Sequence, residues 1–327
     1  MTTFAPVLRP RHATTRRTPL AVDRTVTLAI NGSTQRIRMC AERAGLPPLL
    51  IVQGGPALPL LHEVPKFQRR LHLESDFLMT YWDQRGCGPA SRADADGVSV
   101  LQQVADVRAV LQWLHQETQQ AVTVLGISVG GTFALQAVEH EPDIVQSVIV
   151  ISPDADTARS DAAAYAFLQE QSSRPAHRGL RAKVEKLGEP PYTDSAAFQL
   201  RARLLTDLGA IERGMTFNRV LREMLFGLLR AYGPVGTAKA LRNMNIIQNR
   251  LLPQVVSLNL LAHPPRLAMP VHYVFGEQDA LTPPALAEQL PAAIAAPGST
   301  AVRLPDAAHM LHFDQPEIVR AIVLNAR

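Results

Sequence analysis

The chain has 327 residues, 46% of them hydrophobic, with 33 Lys and Arg against 29 Asp and Glu for a formal net charge of +4. This composition excludes a disordered or fibrous chain and suffices for a large buried core. Two cysteines are too few for a disulfide framework, and no run approaches the roughly 18 consecutive apolar residues needed to span a bilayer.

The basic balance does not point to nucleic acid. Arg9, Arg11, Arg16 and Arg17 concentrate in a Thr/Pro/Arg-rich stretch read as a mobile basic tail over residues 1–20, and the later basic residues are interleaved with acids. No apolar segment follows Arg16-Arg17, so neither a twin-arginine nor a Sec signal is supported. The expected location is the cytoplasm, with neither a membrane nor nucleic acid as partner.

After the tail, stretches 25–30 and 35–40 flank Asn31-Gly32 and predict a hairpin, because Asn-Gly suits a type I′ turn. Strands are then predicted near 49–53, 77–82, 121–126, 145–151, 270–275 and 300–304. They alternate with helical stretches near 62–72, 98–117, 129–140, 283–295 and 315–326, the pattern of an α/β chain with a mostly parallel sheet and helices on both faces. Between Asp154 and Leu267 the pattern becomes wholly helical, with segments near 158–171, 176–187, 195–208 and 217–232. Val220, Leu221, Met224, Leu225 and Leu228 show the helical spacing. The predicted division is a core of 21–154 and 267–327, with a helical cap of 155–266 inserted after the sixth strand. A dimerisation arm is the alternative use of that insertion, and the oligomeric state is not legible.

Val122-Thr-Val-Leu-Gly126-Ile-Ser128-Val-Gly130-Gly131 carries the chemistry. It reads as a buried strand, a glycine-flanked serine and a helix, the nucleophile elbow in which Gly-x-Ser-x-Gly lets strand and helix approach around a strained turn. A serine hydroxyl needs a base and a residue that orients the base. Asp279, after the strand near 270–275, is the expected acid, and His309, after the strand near 300–304, the expected base. Asp154, after the strand near 145–151, competes as the acid; Asp306 and His312 flank His309. The expected oxyanion hole joins the N–H of Val129, at a helix N-terminus, to that of Gly55, with Gly54 close behind. No His/Cys/Asp cluster has metal-ligand spacing, and Cys87 is read as a loop filler rather than a nucleophile.

The set Gln53-Gly-Gly-Pro56, Asp83-Gln-Arg-Gly-Cys-Gly88, Gly126-Ile-Ser-Val-Gly130, Gly276-Glu-Gln-Asp279 and His309 resembles the proline iminopeptidase branch of the α/β-hydrolase superfamily. The resemblance runs from about Thr25 to the end and includes 187–194 in the cap. It implies the α/β-hydrolase fold and hydrolysis by a serine triad with no metal or organic cofactor. It also implies that Asp83 and Arg85 structure the loop beside the site. Two departures bear on substrate: the branch's usual His-Gly-Gly-Pro-Gly is here Gln53-Gly-Gly-Pro-Ala57, and the bulky aromatic after the serine is Val129. In the aminopeptidases, cap carboxylates bind the substrate's free amine. Glu170, Glu185, Glu189, Asp194, Asp207, Glu212 and Glu223 are the candidates here. The function expected is hydrolysis of an acyl bond in a small molecule or short peptide, aminopeptidase-like. A carboxylesterase or lactonase is the alternative, and a non-hydrolytic, ligand-binding member of the fold a further one.

Overall fold

The computed structural model describes residues 19–327, so the predicted basic tail over 1–20 lies outside the described residues except for Pro19 and Leu20. The strands are β1 (Val22–Ile30), β2 (Ser33–Ala41), β3 (Pro48–Val52), β4 (Leu78–Asp83), β5 (Val122–Ile127), β6 (Val145–Ile151), β7 (Val271–Gly276) and β8 (Thr300–Leu304). They form one sheet in the order β1-β2-β4-β3-β5-β6-β7-β8. The β1–β2 and β2–β4 pairings are antiparallel and the others parallel. The leading hairpin turns at Asn31 and Gly32, both at positive φ (46° and 78°), the backbone a type I′ turn requires.

The helices are α1 (Val64–Arg70), α2 (Arg92–Asp96), α3 (Val100–Thr118), α4 (Val129–Val138), α5 (Thr157–Ser173), α6 (Leu180–Leu187), α7 (Ser195–Asp207), α8 (Phe217–Val255), α9 (Pro284–Ala287), α10 (Leu290–Ile294), α11 (Leu311–Asp314) and α12 (Pro316–Asn325). Each central strand feeds two cores because successive side chains point to opposite faces. Leu50, Val52, Val124, Val148 and Val150 pack on one face with α3 and α4 residues such as Leu111 and Phe133. Leu49, Ile51, Leu125, Ile149 and Ile151 pack on the other with Phe67 of α1 and Val319 of α12.

The helices α5 to α8 all lie between β6 and β7. Ala164, Leu168, Val184, Leu204 and Leu205 give α5, α6 and α7 an apolar cluster of their own. α8 begins as the sequence reading has it, with its first segment ending where 217–232 was expected to end, and departs from that reading beyond. It breaks at Gly233 (φ 67°, ψ 178°) and resumes at Pro234, where proline's fixed φ and missing N–H are tolerated in a first turn. It runs on to Val255, beyond the helix expected over 217–232, and Ile247, Leu251 and Val255 join the main core rather than the cluster of α5 to α7. In its first half Leu228 is buried, but Leu221, Leu225 and Phe226 are exposed. The single helix expected near 283–295 is two short ones, α9 and α10, the second with Pro291 in its first turn. No helix among the described residues is long and apolar enough to cross a membrane.

Candidate active site

Ser128 alone makes the turn between β5 and α4. Its φ of 54° and ψ of −133° lie where a side chain costs about 1–3 kcal/mol, so surrounding structure must hold it there. The Ser128 N–H donates to the Ile151 carbonyl at 2.8 Å, and the Ser128 carbonyl accepts from the Gly131 N–H at 2.8 Å. The flanking glycines are needed for space. A Cβ on Gly130 would lie 2.4 Å from the carbonyl oxygens of Val52 and Gln53, and one on Gly126 would lie 2.6 Å from Gly131 Cα. Gly54 backs the serine itself, since a Cβ there would lie 2.9 Å from Ser128 Cβ.

Asp279 follows the end of β7 and His309 the end of β8, so both stand with Ser128 at the C-terminal edge of the parallel strands, where open α/β sheets place their chemistry. Asp279 Oδ2 lies 2.8 Å from His309 Nδ1. Asp279 Oδ1 accepts from the backbone N–H groups of Leu281 and Thr282, each at 2.9 Å. Thr282 Oγ1 lies 2.8 Å from Asp279 Oδ2 and 3.1 Å from His309 Nδ1. With the carboxylate on Nδ1, the proton sits on Nδ1 and the Nε2 lone pair is free to accept. The two loops meet backbone to backbone: a Cβ on Gly276 would lie 2.4 Å from the Ala308 carbonyl oxygen. The His309 and Met310 N–H groups donate to Ala210 and Ile211 at 3.3 and 2.6 Å, joining the histidine loop to the segment between α7 and α8.

The competitors are placed elsewhere. Asp154 is buried, with Oδ1 accepting from Ser160 Oγ at 2.8 Å. Burial pushes its carboxyl up, against the hydrogen bond from Ser160 and the nearby Arg201 and His309. Asp306 is a turn residue at φ 55° with an exposed side chain. His312 is fully buried and stacked on Phe67, ring centroids 5.4 Å apart. Burial and Lys66 push its pKa well down. Cys87 is buried and its thiol is pushed well above the ordinary range by desolvation, the opposite of an activated nucleophile.

Asp83 and Arg85 brace different things. Asp83 Oδ1 accepts from the Leu60 and Leu61 N–H groups at 2.8 and 3.0 Å, and Oδ2 accepts from Tyr232 Oη at 2.7 Å, which ties the stretch after Pro56 to α8. Arg85 grips Asp106 of α3 with two hydrogen bonds of 2.7 and 2.9 Å and the Asn31 carbonyl at 3.0 Å, so it anchors the leading hairpin.

A small cavity of about 30 Å³ is lined by Ser128, Val129, Gly55, Thr282 and Pro56 from the core. Asp154, Asp161, Tyr192, Phe198, Arg201 and Leu252 are among its other walls. None of the seven cap acids singled out from the sequence is among its lining residues. Six are exposed, Asp194 among them capping α7 through the Ala196 and Ala197 N–H groups, and the buried Glu212 pairs with Lys66 at 2.7 Å. The cavity's charged groups are instead Asp154, Asp161 and Arg201. Their sequence signal is a charged residue on an apolar helical stripe: Arg201 shares its face with Ala197, Leu204 and Leu205, and Asp161 shares its face with Ala164 and Leu168. Among the described residues, no group of three or more His, Cys, Asp or Glu is placed to hold a metal ion.

The family model of the alpha/beta hydrolase fold matches residues 47–316. The chain is 24% identical over 297 residues to the probable aminopeptidase YbaC of Bacillus subtilis, covering 89% of this chain and 92% of that protein. Its fold is similar to a proline iminopeptidase of Mycobacterium smegmatis, with TM-score 0.64, 19% identity, and coverage of 92% and 97% of the two chains. It is also similar to an esterase from Rhodococcus sp., with TM-score 0.59, 16% identity, and coverage of 93% and 97%. The strained serine elbow, the sheet order and these matches converge: the chain belongs to the α/β-hydrolase fold family, and its resemblance is to the proline iminopeptidase-like branch.

Proposed function

We propose that the protein is a serine hydrolase that cleaves an acyl bond in a small molecule or short peptide through a Ser128–His309–Asp279 triad and an acyl-enzyme. The observation that carries this reading is the Asp279–His309 pair, held by four further hydrogen-bond contacts from Leu281 and Thr282, at the same sheet edge as the strained Ser128 elbow. His309 Nε2 takes the proton of Ser128 Oγ as the serine attacks the carbonyl carbon. Asp279 holds the imidazole tautomer and stabilises the imidazolium. The N–H of Val129, first in α4, and that of Gly55 hold the tetrahedral oxyanion, with Gly54 keeping the floor behind the serine clear of side-chain atoms. His309 then returns its proton to the leaving group and activates the water that releases the acid.

The amide reading has specific support in Asp154, a carboxylate that lines the cavity beside Ser128 and is not ion-paired with Arg201 as Asp161 is. An ammonium leaving water needs such a partner, and the resemblance to aminopeptidases points the same way. The ester or lactone reading is favoured by Gln53, Ala57 and Val129, where the chain departs from the peptidase pattern. Hydrolysis of proline p-nitroanilide and p-nitrophenyl butyrate by wild type and Ser128→Ala separates them. Serine-dependent anilide release that is lost when the amine is acetylated supports the aminopeptidase reading. Butyrate release alone supports the esterase, and turnover surviving in Ser128→Ala refutes the serine mechanism.

A further inference from the structure

Arg201 of α7 stands among the cavity's apolar and acidic walls with its side chain 7% exposed. Its guanidinium lies over two rings that also line the cavity, 5.1 Å from the Tyr192 centroid and 5.4 Å from the Phe198 centroid. Nη1 is ion-paired with Asp161 of α5, yet neither Nε nor Nη1, both buried, has a hydrogen-bond acceptor of proper geometry among the described residues. Guanidinium N–H groups are almost always satisfied when desolvated, because an unmet buried donor costs about 1–3 kcal/mol, more for a charged group. The strain of this burial also shows in the guanidinium pKa, which desolvation pushes down to about 10. A cation that lies over two rings is restricted in orientation, so its unmet Nε–H is preorganised.

We propose that Arg201 is a specificity residue whose Nε–H donates to an oxygen acceptor on the substrate's acyl group, so that the site takes acyl groups bearing a carbonyl or carboxylate rather than plain alkyl chains. This deepens the serine hydrolase reading and rests on it. Asp161 already balances the guanidinium, and Asp154 adds a second carboxylate to the same cavity. A neutral carbonyl therefore suits the position better than a second anion, which would face two acids for one cation. The effect belongs to binding, because Arg201 is not among the residues that move the proton or hold the oxyanion.

The test uses three p-nitrophenyl esters of similar length: pentanoate, with no acceptor; 4-oxopentanoate, with a neutral carbonyl; and hydrogen succinate, with a carboxylate. Wild type should prefer 4-oxopentanoate over pentanoate by tenfold or more in kcat/KM, chiefly through KM, with succinate between them. In Arg201→Gln that preference should collapse to within about threefold. Preference for succinate would assign the same donor to an anion. Equal turnover of all three by wild type, or an equal fall on all three in Arg201→Gln, would overturn the proposal and leave Arg201 as a brace between α5 and α7. If Arg201→Gln melts well below wild type, Arg201→Lys serves instead, since it keeps a cation for Asp161 but lacks the planar fork. Free 4-oxopentanoate should raise the melting temperature of Ser128→Ala, pentanoate should not, and the difference should vanish when Arg201→Gln is added. That readout needs no turnover, so ester cleavage surviving in Ser128→Ala would refute the serine reading without touching the subsite, whereas equal shifts by both acids would refute the subsite alone.

Discussion

Replacing Asp279 by Asn keeps the size of the side chain and inverts its hydrogen-bond logic. Oδ1 of Asp279 accepts two backbone N–H groups, from Leu281 and Thr282 at 2.9 Å each. In the variant the amide oxygen must stay there, because turning it away would leave two buried donors unmet at a cost of about 1 kcal/mol or more each, a preference of roughly thirtyfold. The amide nitrogen then faces His309 Nδ1, which lies 2.8 Å from Oδ2 in the native pair. A donor at that place makes Nδ1 an acceptor and moves the imidazole proton to Nε2, so the ring can no longer take the proton of Ser128. Loss of the correct tautomer in such triads is worth about 10³ to 10⁴ in kcat, or about 4–5.5 kcal/mol of barrier. The assay is kcat on an activated ester, paired with a thermal melt to show that Asp279→Asn remains folded. Asp154→Asn, whose carboxylate bonds Ser160 instead, should lose far less on an ester without an amine. A fall of less than tenfold in folded Asp279→Asn, with a large fall in Asp154→Asn, would refute the reasoning and move the acid to Asp154.

Gly130→Ala should destabilise the chain by about 1–3 kcal/mol and depress turnover, since its Cβ would meet two backbone oxygens at 2.4 Å that cannot rotate away; urea unfolding beside wild type reads the first effect. The pKa of His312 is pushed below its ordinary 6.5 in the folded chain, so between those two values the unfolded chain takes up a proton that the folded chain refuses. Stability should therefore fall as pH drops through the ordinary histidine range, and the stability of His312→Leu should change less than that of wild type between pH 8 and pH 5. Melts across that range check the sign, and identical pH slopes for the two proteins would contradict it.

Most of the fold was legible because its signals are local. A run such as Leu49 to Val52 is apolar on both faces and bounded by turn residues, and Asn31-Gly32 fixes its own hairpin. The glycines around Ser128 announce a close approach of backbones that the structure places at Val52 and Gln53. What stayed hidden depends on long-range packing. The second half of α8 follows a glycine and a proline, which end a helix when read locally, and only its packing against the main core through Ile247 and Leu251 explains why the chain continues. Most glutamates and aspartates between β6 and β7 are solvated or cap helices, so residue type alone does not single out the cavity acids. Asp161 and Arg201 differ from those in sitting on apolar helix faces, a distinction that helical spacing contains but that acquires meaning only when α5 and α7 are seen to converge over Ser128. Ala57, where the branch carries glycine, takes up the left-handed backbone at φ 72° that the glycine would favour.

If Ser128 is the nucleophile of a covalent mechanism, a fluorophosphonate will be trapped on its Oγ. Treatment of the folded chain followed by intact mass and peptide mapping should give one adduct, on Ser128, that is absent from Ser128→Ala and slowed in Asp279→Asn. A chain that stays unlabelled under conditions that modify other serine hydrolases, or an adduct on any other residue, would rule out Ser128 as the nucleophile.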